Sequence, residues 1–139
     1  MTDKEQVIKH LEITQGVINR LAHNSCSIKG WSMTILAAAI LFIARSNCNS
    51  EYLILAFIIP VVSFWILDGY FLWQERLFIG IYNDVRLQEK TDFVINIPAQ
   101  LKKLKNKWRD SVFSLTLSIF YLTELFFILT VFYILKSYL

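Results

Sequence analysis

Three long apolar blocks restrict this chain to one class of fold. They run from Trp31 to Ala44, from Tyr52 to Trp73 and from Val112 to Leu135. The second and third exceed the roughly 20 residues that a helix needs to cross a hydrocarbon core of about 30 Å. The first is shorter, but Ile28 extends it and Lys29 can snorkel to the headgroups. A soluble domain of 139 residues has too little interior for a chain that is 55% hydrophobic. No segment alternates apolar and polar residues as the strands of a membrane barrel do. The expected fold is an all-α membrane protein: three transmembrane helices with long cytosolic helical extensions, in up-down-up order.

Basic residues orient the spans. Lys4, Lys9, Arg20 and Lys29 precede the first, and Arg76, Arg86, Lys90, Lys102, Lys103, Lys105, Lys107 and Arg109 lie between the second and third. Only Arg45 follows the first span and only Lys136 closes the third. The positive-inside rule then predicts a cytoplasmic N-terminus and an external C-terminus. Trp31, Trp73 and Trp108 are expected at the inner interface, and Tyr52 and Tyr138 at the outer one. The segments are therefore a cytosolic amphipathic helix over 1–27, spans over 28–45, 52–73 and 112–138, an external loop over 46–51, and cytosolic helical extensions with a basic juxtamembrane segment over 74–111.

The cytosolic parts read as helical. Val7, Ile8, Leu11, Ile18 and Leu21 recur at helical spacing, as do Leu77, Phe78, Ile81, Tyr82 and Val85. A break is expected over Thr91 to Ile97, with Asn96 capping a helix that has Pro98 in its first turn. That helix is expected to continue through Lys102, Lys103, Lys105, Lys107 and Trp108 into the last span. The result would be a narrow pillar of three rods, each roughly 60 Å long at about 1.5 Å per residue. Such a shape suits lateral self-association better than a private active site.

Polar residues inside apolar blocks are the first functional candidates, because ionisable groups there are costly and face protein or water. Glu124 is expected about 18 Å into its span and Asp68 about 7 to 8 Å from the level of Trp73. Unequal depths argue against a direct Asp68–Glu124 pair. Lys29, Ser32 or Thr34 are the partners within reach of Asp68. For Glu124 the alternatives are a neutral carboxyl bonded to a neighbouring helix and a pore-lining group. Thr116, Thr123 and Thr130 repeat every seven residues, and can hydrogen-bond between helices, line a narrow channel or bond their own helix backbone. Pro60 is expected to bend the second span.

Outside the spans, Glu12, Gln15, Asn19 and His23 share a helix face that could meet Tyr70, Gln74, Glu75, Arg76 and Arg86 across a small bundle. They form a buried structural network, a site for a small ligand or partner, or a simply solvated face. The run Lys102, Lys103, Lys105, Lys107, Trp108 and Arg109 reads as an anchor on anionic lipid headgroups. Nucleic acid is not expected at a net charge of +3. No nucleophile–base set, phosphate loop or metal spacing is visible, so neither an enzyme, a cofactor nor a metal is expected. Secondary transport is disfavoured without inverted repeats. Cys26 and Cys48 fall on opposite sides of the membrane and should not pair. Asp3, Glu5 and Glu12 do not suit a cleaved signal peptide, and no lipidation motif is present.

The stretch Ile13-Thr14-Gln15-Gly16-Val17-Ile18-Asn19-Arg20-Leu21-Ala22-His23-Asn24-Ser25, with Lys29-Gly30-Trp31, resembles a family of small bacterial inner-membrane proteins, as does Leu67-Asp68-Gly69-Tyr70-Phe71-Leu72-Trp73-Gln74-Glu75-Arg76-Leu77-Phe78. The resemblance covers the first two thirds of the chain and implies location in the bacterial inner membrane. In architecture the chain is also similar to membrane effectors of antiphage defence. That similarity implies a homo-oligomeric, channel-like or membrane-disrupting effector, triggered by a soluble signalling protein or small molecule. The alternative is a non-conducting anchor or adaptor that recruits a soluble partner through its cytosolic helices.

Overall fold

The computed structural model describes residues 2–45, 52–104 and 107–138. The expected external loop with Cys48, and Lys105 of the basic run, lie outside the described residues. All regular structure among those residues is helical: α1 (Asp3–Arg45), α2 (Tyr52–Val85), α3 (Ile97–Lys103), α4 (Trp108–Val112) and α5 (Leu115–Tyr138). Helices α1, α2 and α5 are each long and apolar enough to cross a membrane.

Helix α1 starts on a reciprocal cap. The Thr2 amide donates to Glu5 Oε2 at 2.8 Å, and the Glu5 amide to Thr2 Oγ1 at 3.4 Å, which satisfies donors that a helix start leaves free. With no proline inside it, α1 then runs unbroken for 43 residues, about 64 Å. Its buried positions are Val7, His10, Thr14, Ile18, Ile28, Ser32, Leu36 and Ala39. Steps of three and four residues connect most of them, so they form one seam along the helix. Helix α2 packs antiparallel against that seam. Near the α1 N-terminus, Val7 meets Leu77, Ile81 and Val85. At the far end, Leu36 joins Val61, Leu117, Tyr121 and Ile128 in a second cluster that includes α5. Pro60 lies inside α2, which continues through it as one helix.

The third rod differs from expectation. Asn96 does cap α3, its Oδ1 accepting from the Ala99 amide at 3.0 Å with proline in the first turn. But α3 ends at Lys103, and Leu104 takes extended geometry. A fresh start follows at α4, where Asp110 Oδ2 accepts from the Lys107 amide at 2.8 Å. A second break at Phe113 precedes α5. Both short helices pack closely on α2 at two glycines. A Cβ on Gly80 would collide with the buried Gln100 side chain of α3, and one on Gly69 would lie 2.7 Å from Val112 Cα of α4. Pressing both short helices onto α2 requires a jointed path rather than a straight rod.

Candidate functional site

The most concentrated chemistry lies where α1, α2 and α5 meet. Asp68, on α2, is fully buried, and its carboxylate takes partners from both neighbouring helices. Lys29 Nζ of α1 lies 2.5 Å from Oδ2, Tyr121 of α5 donates its hydroxyl to Oδ2 at 3.1 Å, and Ser25 of α1 donates to Oδ1. Lys29 also donates to Ser25 Oγ at 2.8 Å. The lysine side chain keeps 25% of its surface exposed, so its ammonium sits at the rim while the carboxylate sits inside. Opposite charges this close, with the remaining lone pairs hydrogen-bonded, offset the desolvation each group suffers. Tyr121 can reach Asp68 because long side chains lean toward their helix N-terminus.

One turn further along α1 and α5, Ser32 donates to Glu124 Oε2 at 2.7 Å, with both residues buried. Glu124 Oε1 has no hydrogen-bond partner among the described residues. Since α5 begins at Leu115, Glu124 lies only about 13 Å into the helix. Asp68 and Glu124 thus occupy adjacent layers rather than well-separated depths, and no bond between them is described. An apolar cluster brackets them, with Leu117 before Tyr121 on α5 and Leu36, Val61 and Ile128 on the far side.

The α4–α5 joint is built onto the same layer. Trp65 Nε1 donates to the Val112 carbonyl at 2.8 Å, satisfying an acceptor freed by the helix end. Its ring stacks on Tyr121 with centroids 5.9 Å apart and meets the edge of Phe113 at 6.1 Å. Arg76 donates to the buried Ser111 hydroxyl at 3.1 Å.

A second polar contact closes the other end. His10 of α1 shares a 2.7 Å hydrogen bond with Thr91 in the loop after α2, while the Phe93 amide donates to Thr91 Oγ1 at 3.2 Å. Phe93 covers the imidazole at 5.5 Å between centroids. To do so it adopts φ 59°, a left-handed conformation that bulky residues rarely take.

Several predicted groupings come apart. Glu12, Gln15, Asn19 and His23 are exposed on α1, where they border open surface grooves rather than a buried network with Gln74, Glu75, Arg76 and Arg86. They bond along their own helix: Glu12 with Lys9 at 3.2 Å, Gln15 with Asn19 at 3.0 Å, and His23 with Ser27 at 3.4 Å. Gln74 donates to Tyr70 one turn away at 2.8 Å, and Arg86 is exposed. Glu75 is half-buried, and no side-chain bond of it is described. Thr123 and Thr130 return their hydroxyls to the Ile119 and Phe126 carbonyls, and Thr116 is exposed. The threonine stripe therefore lies on a different face from buried Glu124. Of the partners offered for Asp68, Lys29 is found; Ser32 turns to Glu124 and Thr34 to the Gly30 carbonyl.

The tryptophans do not share one level either. The Lys29–Asp68 contact fixes the register of α1 and α2, which sets Trp31 about 10 Å from Trp73 along the bundle axis. Trp108 packs beside Ser63 to Tyr70, on the Trp31 side of Trp73. In the basic run, Lys103 pairs with Asp84 at 2.6 Å, while Lys102, Lys107, Trp108 and Arg109 are exposed. Among the described residues, no group of His, Cys, Asp and Glu is arranged to hold a metal.

Sequence reasoning missed Ser25, Tyr121, Trp65 and the His10–Thr91 contact. The available signal was the three-and-four stride through His10, Thr14, Ile18, Ser25, Ile28 and Ser32. Compared with protein-family models, curated proteins and solved structures, the chain matches none. The resemblance to small bacterial inner-membrane proteins rests on its quoted stretches alone.

Proposed function

We propose that the chain is a bacterial inner-membrane protein with three spans, a cytoplasmic N-terminus and an external C-terminus, acting as a non-enzymatic, non-conducting anchor or adaptor. Its role is to recruit a soluble partner through its cytosolic helices. One observation carries this reading: the ionisable groups within the spans, Lys29, Asp68 and Glu124, are bonded to neighbouring helices inside one protomer, beside an apolar cluster that includes Leu36, Val61 and Ile128. Such bonds hold helices together. The orientation is supported by the distribution of Lys and Arg. What remains for recognition is the outward face of α1. There Ile8, Leu11, Glu12, Gln15, Gly16 and Asn19 of α1 line an open groove of about 490 Å³ together with Tyr82 of α2. An amphipathic helix of the partner fits this shape, with its apolar side on Ile8 and Leu11.

A second reading is a homo-oligomeric, channel-like or membrane-disrupting effector, as in antiphage defence. Glu124 favours it, because one of its buried oxygens lacks a partner and would gain one if the helices rearranged. Ion flux from liposomes separates the two. The adaptor reading expects no flux under any trigger, together with a soluble partner that wild-type protein retains and Ile8→Asp releases. Flux that Glu124→Gln abolishes would refute it in favour of the effector.

A further inference from the structure

Beside the polar layers, α2 and α4 enclose a shallow groove of about 530 Å³ lined by Ser63, Ile66, Leu67, Tyr70 and Trp108. Its long direction follows α2 for seven residues, about 10 Å. The floor is almost wholly apolar, since Ser63 spends its hydroxyl on the Ile59 carbonyl at 2.8 Å. Tyr70 is held at one end by its bond to Gln74, with Trp73 tilted against it at 6.2 Å. Trp108 closes the side of the groove and is itself 39% exposed. Lys107 and Arg109 flank that indole in sequence, both are exposed, and neither belongs to an ion pair among the described residues. Apolar floor, indole wall and unpaired cations therefore follow one another within a single acyl-chain length of the α4 start.

We infer that this groove is a binding site for one anionic phospholipid, with an acyl chain along Ile66 and Leu67 and the phosphate at Lys107 and Arg109. The inference rests on α2 crossing the bilayer, but not on a soluble partner or on conduction. Charge selects the lipid: a zwitterionic headgroup gains little from two cations, whereas a net negative one is drawn to them. Shape then fixes the place. The joint that interrupts the third rod keeps Trp108 against α2, and Val112 seated on Gly69 holds that joint in position. A straight third helix would leave the basic run without a groove beside it.

The test uses the full chain in symmetric vesicles, in which insertion direction does not affect the result. Tryptophan quenching is compared between phosphatidylcholine vesicles containing chain-brominated phosphatidylglycerol and vesicles containing chain-brominated phosphatidylcholine at equal mole fraction. The difference between wild type and Trp108→Phe isolates the signal beside Trp108. The anionic lipid should be enriched there on the order of tenfold, the scale set by two basic residues near an anionic surface. Lys107→Gln with Arg109→Gln should abolish the preference, and Ser63→Phe, or the milder Ser63→Leu, should reduce quenching by blocking the chain. Lys102→Gln should leave both unchanged. Equal quenching by the two lipids overturns the site. So does undiminished quenching in helical, membrane-inserted Ser63 variants, or a preference that Lys102→Gln removes as fully as the pair.

Discussion

Lys29 and Asp68 should respond unequally to removal, although they form one contact. In Lys29→Met the Asp68 carboxylate keeps Ser25 and Tyr121 but loses its counter-charge while remaining fully buried. Leaving one member of a buried pair uncompensated costs about 3–5 kcal/mol. In Asp68→Asn the amide oxygen still accepts one hydrogen bond, and the orphaned ammonium is already one-quarter exposed. It can swing to water along its flexible stem, which limits the loss to about 1–2 kcal/mol. The double variant retains no buried charge and should cost scarcely more than Asp68→Asn alone, giving a coupling energy of at least about 2 kcal/mol. Reversible unfolding in mixed micelles, followed by tryptophan fluorescence, measures all three, because Trp65 stacks on Tyr121 in the same layer. If Asp68→Asn costs as much as Lys29→Met, or the two changes simply add, the carboxylate is not the buried partner and the reasoning fails.

Tyr121→Phe removes a single interhelical hydrogen bond and should destabilise by roughly 0.6 kcal/mol and no more than about 1.7 in the same assay, the average and maximum for such bonds within membranes. Gly69→Ala drives a Cβ into the backbone of Val112; a cost of about 1–3 kcal/mol is expected, with altered Trp65 emission as α4 is displaced. Gly80→Ala meets chiefly the end of the Gln100 side chain, which can swing aside, so its cost should be the smaller of the two by thermal unfolding. Gly16→Ala has open space around its new methyl and should stabilise α1 by up to about 1 kcal/mol. A loss of stability there would mean that the α1 face is covered.

The spans were legible because their signal is an uninterrupted length of apolar residues, which needs no tertiary information. The Asn96 cap was legible for a similar reason: cap, proline and helix start lie within a few residues of one another. The site was harder. Periodicity was sought in apolar residues, and α1 hides much of its seam in Ser, Thr and His, which read as surface. Glu12, Gln15, Asn19 and His23 were the more conspicuous polar stripe, yet they face outward. Charge at the helix ends suggested a straight run through Lys102 to Arg109. The jointed path instead packs on Gly69 and Gly80, some thirty and twenty residues upstream, and no local pattern carries that information.

Burial of polar residues in α1 follows position along the bundle rather than residue type. At the loop end, His10 and Thr91 meet without formal charge partners and are covered by Phe93. In the middle, Lys29 and Asp68 supply a neutral pair at the rim of the apolar section. One turn beyond, only a serine and a carboxyl remain, and after Leu36 the described seam is apolar. Hydrogen bonding is thus densest in the middle layer and falls away from there as the bundle enters its most apolar part. A membrane protein is under pressure to satisfy buried polar groups internally as water becomes unreachable; Asp68 meets that demand fully, whereas Glu124 Oε1 and His10 Nε2 have no partner among the described residues. The middle layer also restricts register: sliding α1 by one turn against α2 would place Lys29 beside Trp65 or Leu72 and strand Asp68 without a cation. Apolar side chains alone would tolerate such a slip far better, because lipid solvates them nearly as well as a neighbouring helix does. The polar layers therefore specify which faces of the three helices meet, and the apolar clusters fill the space between them.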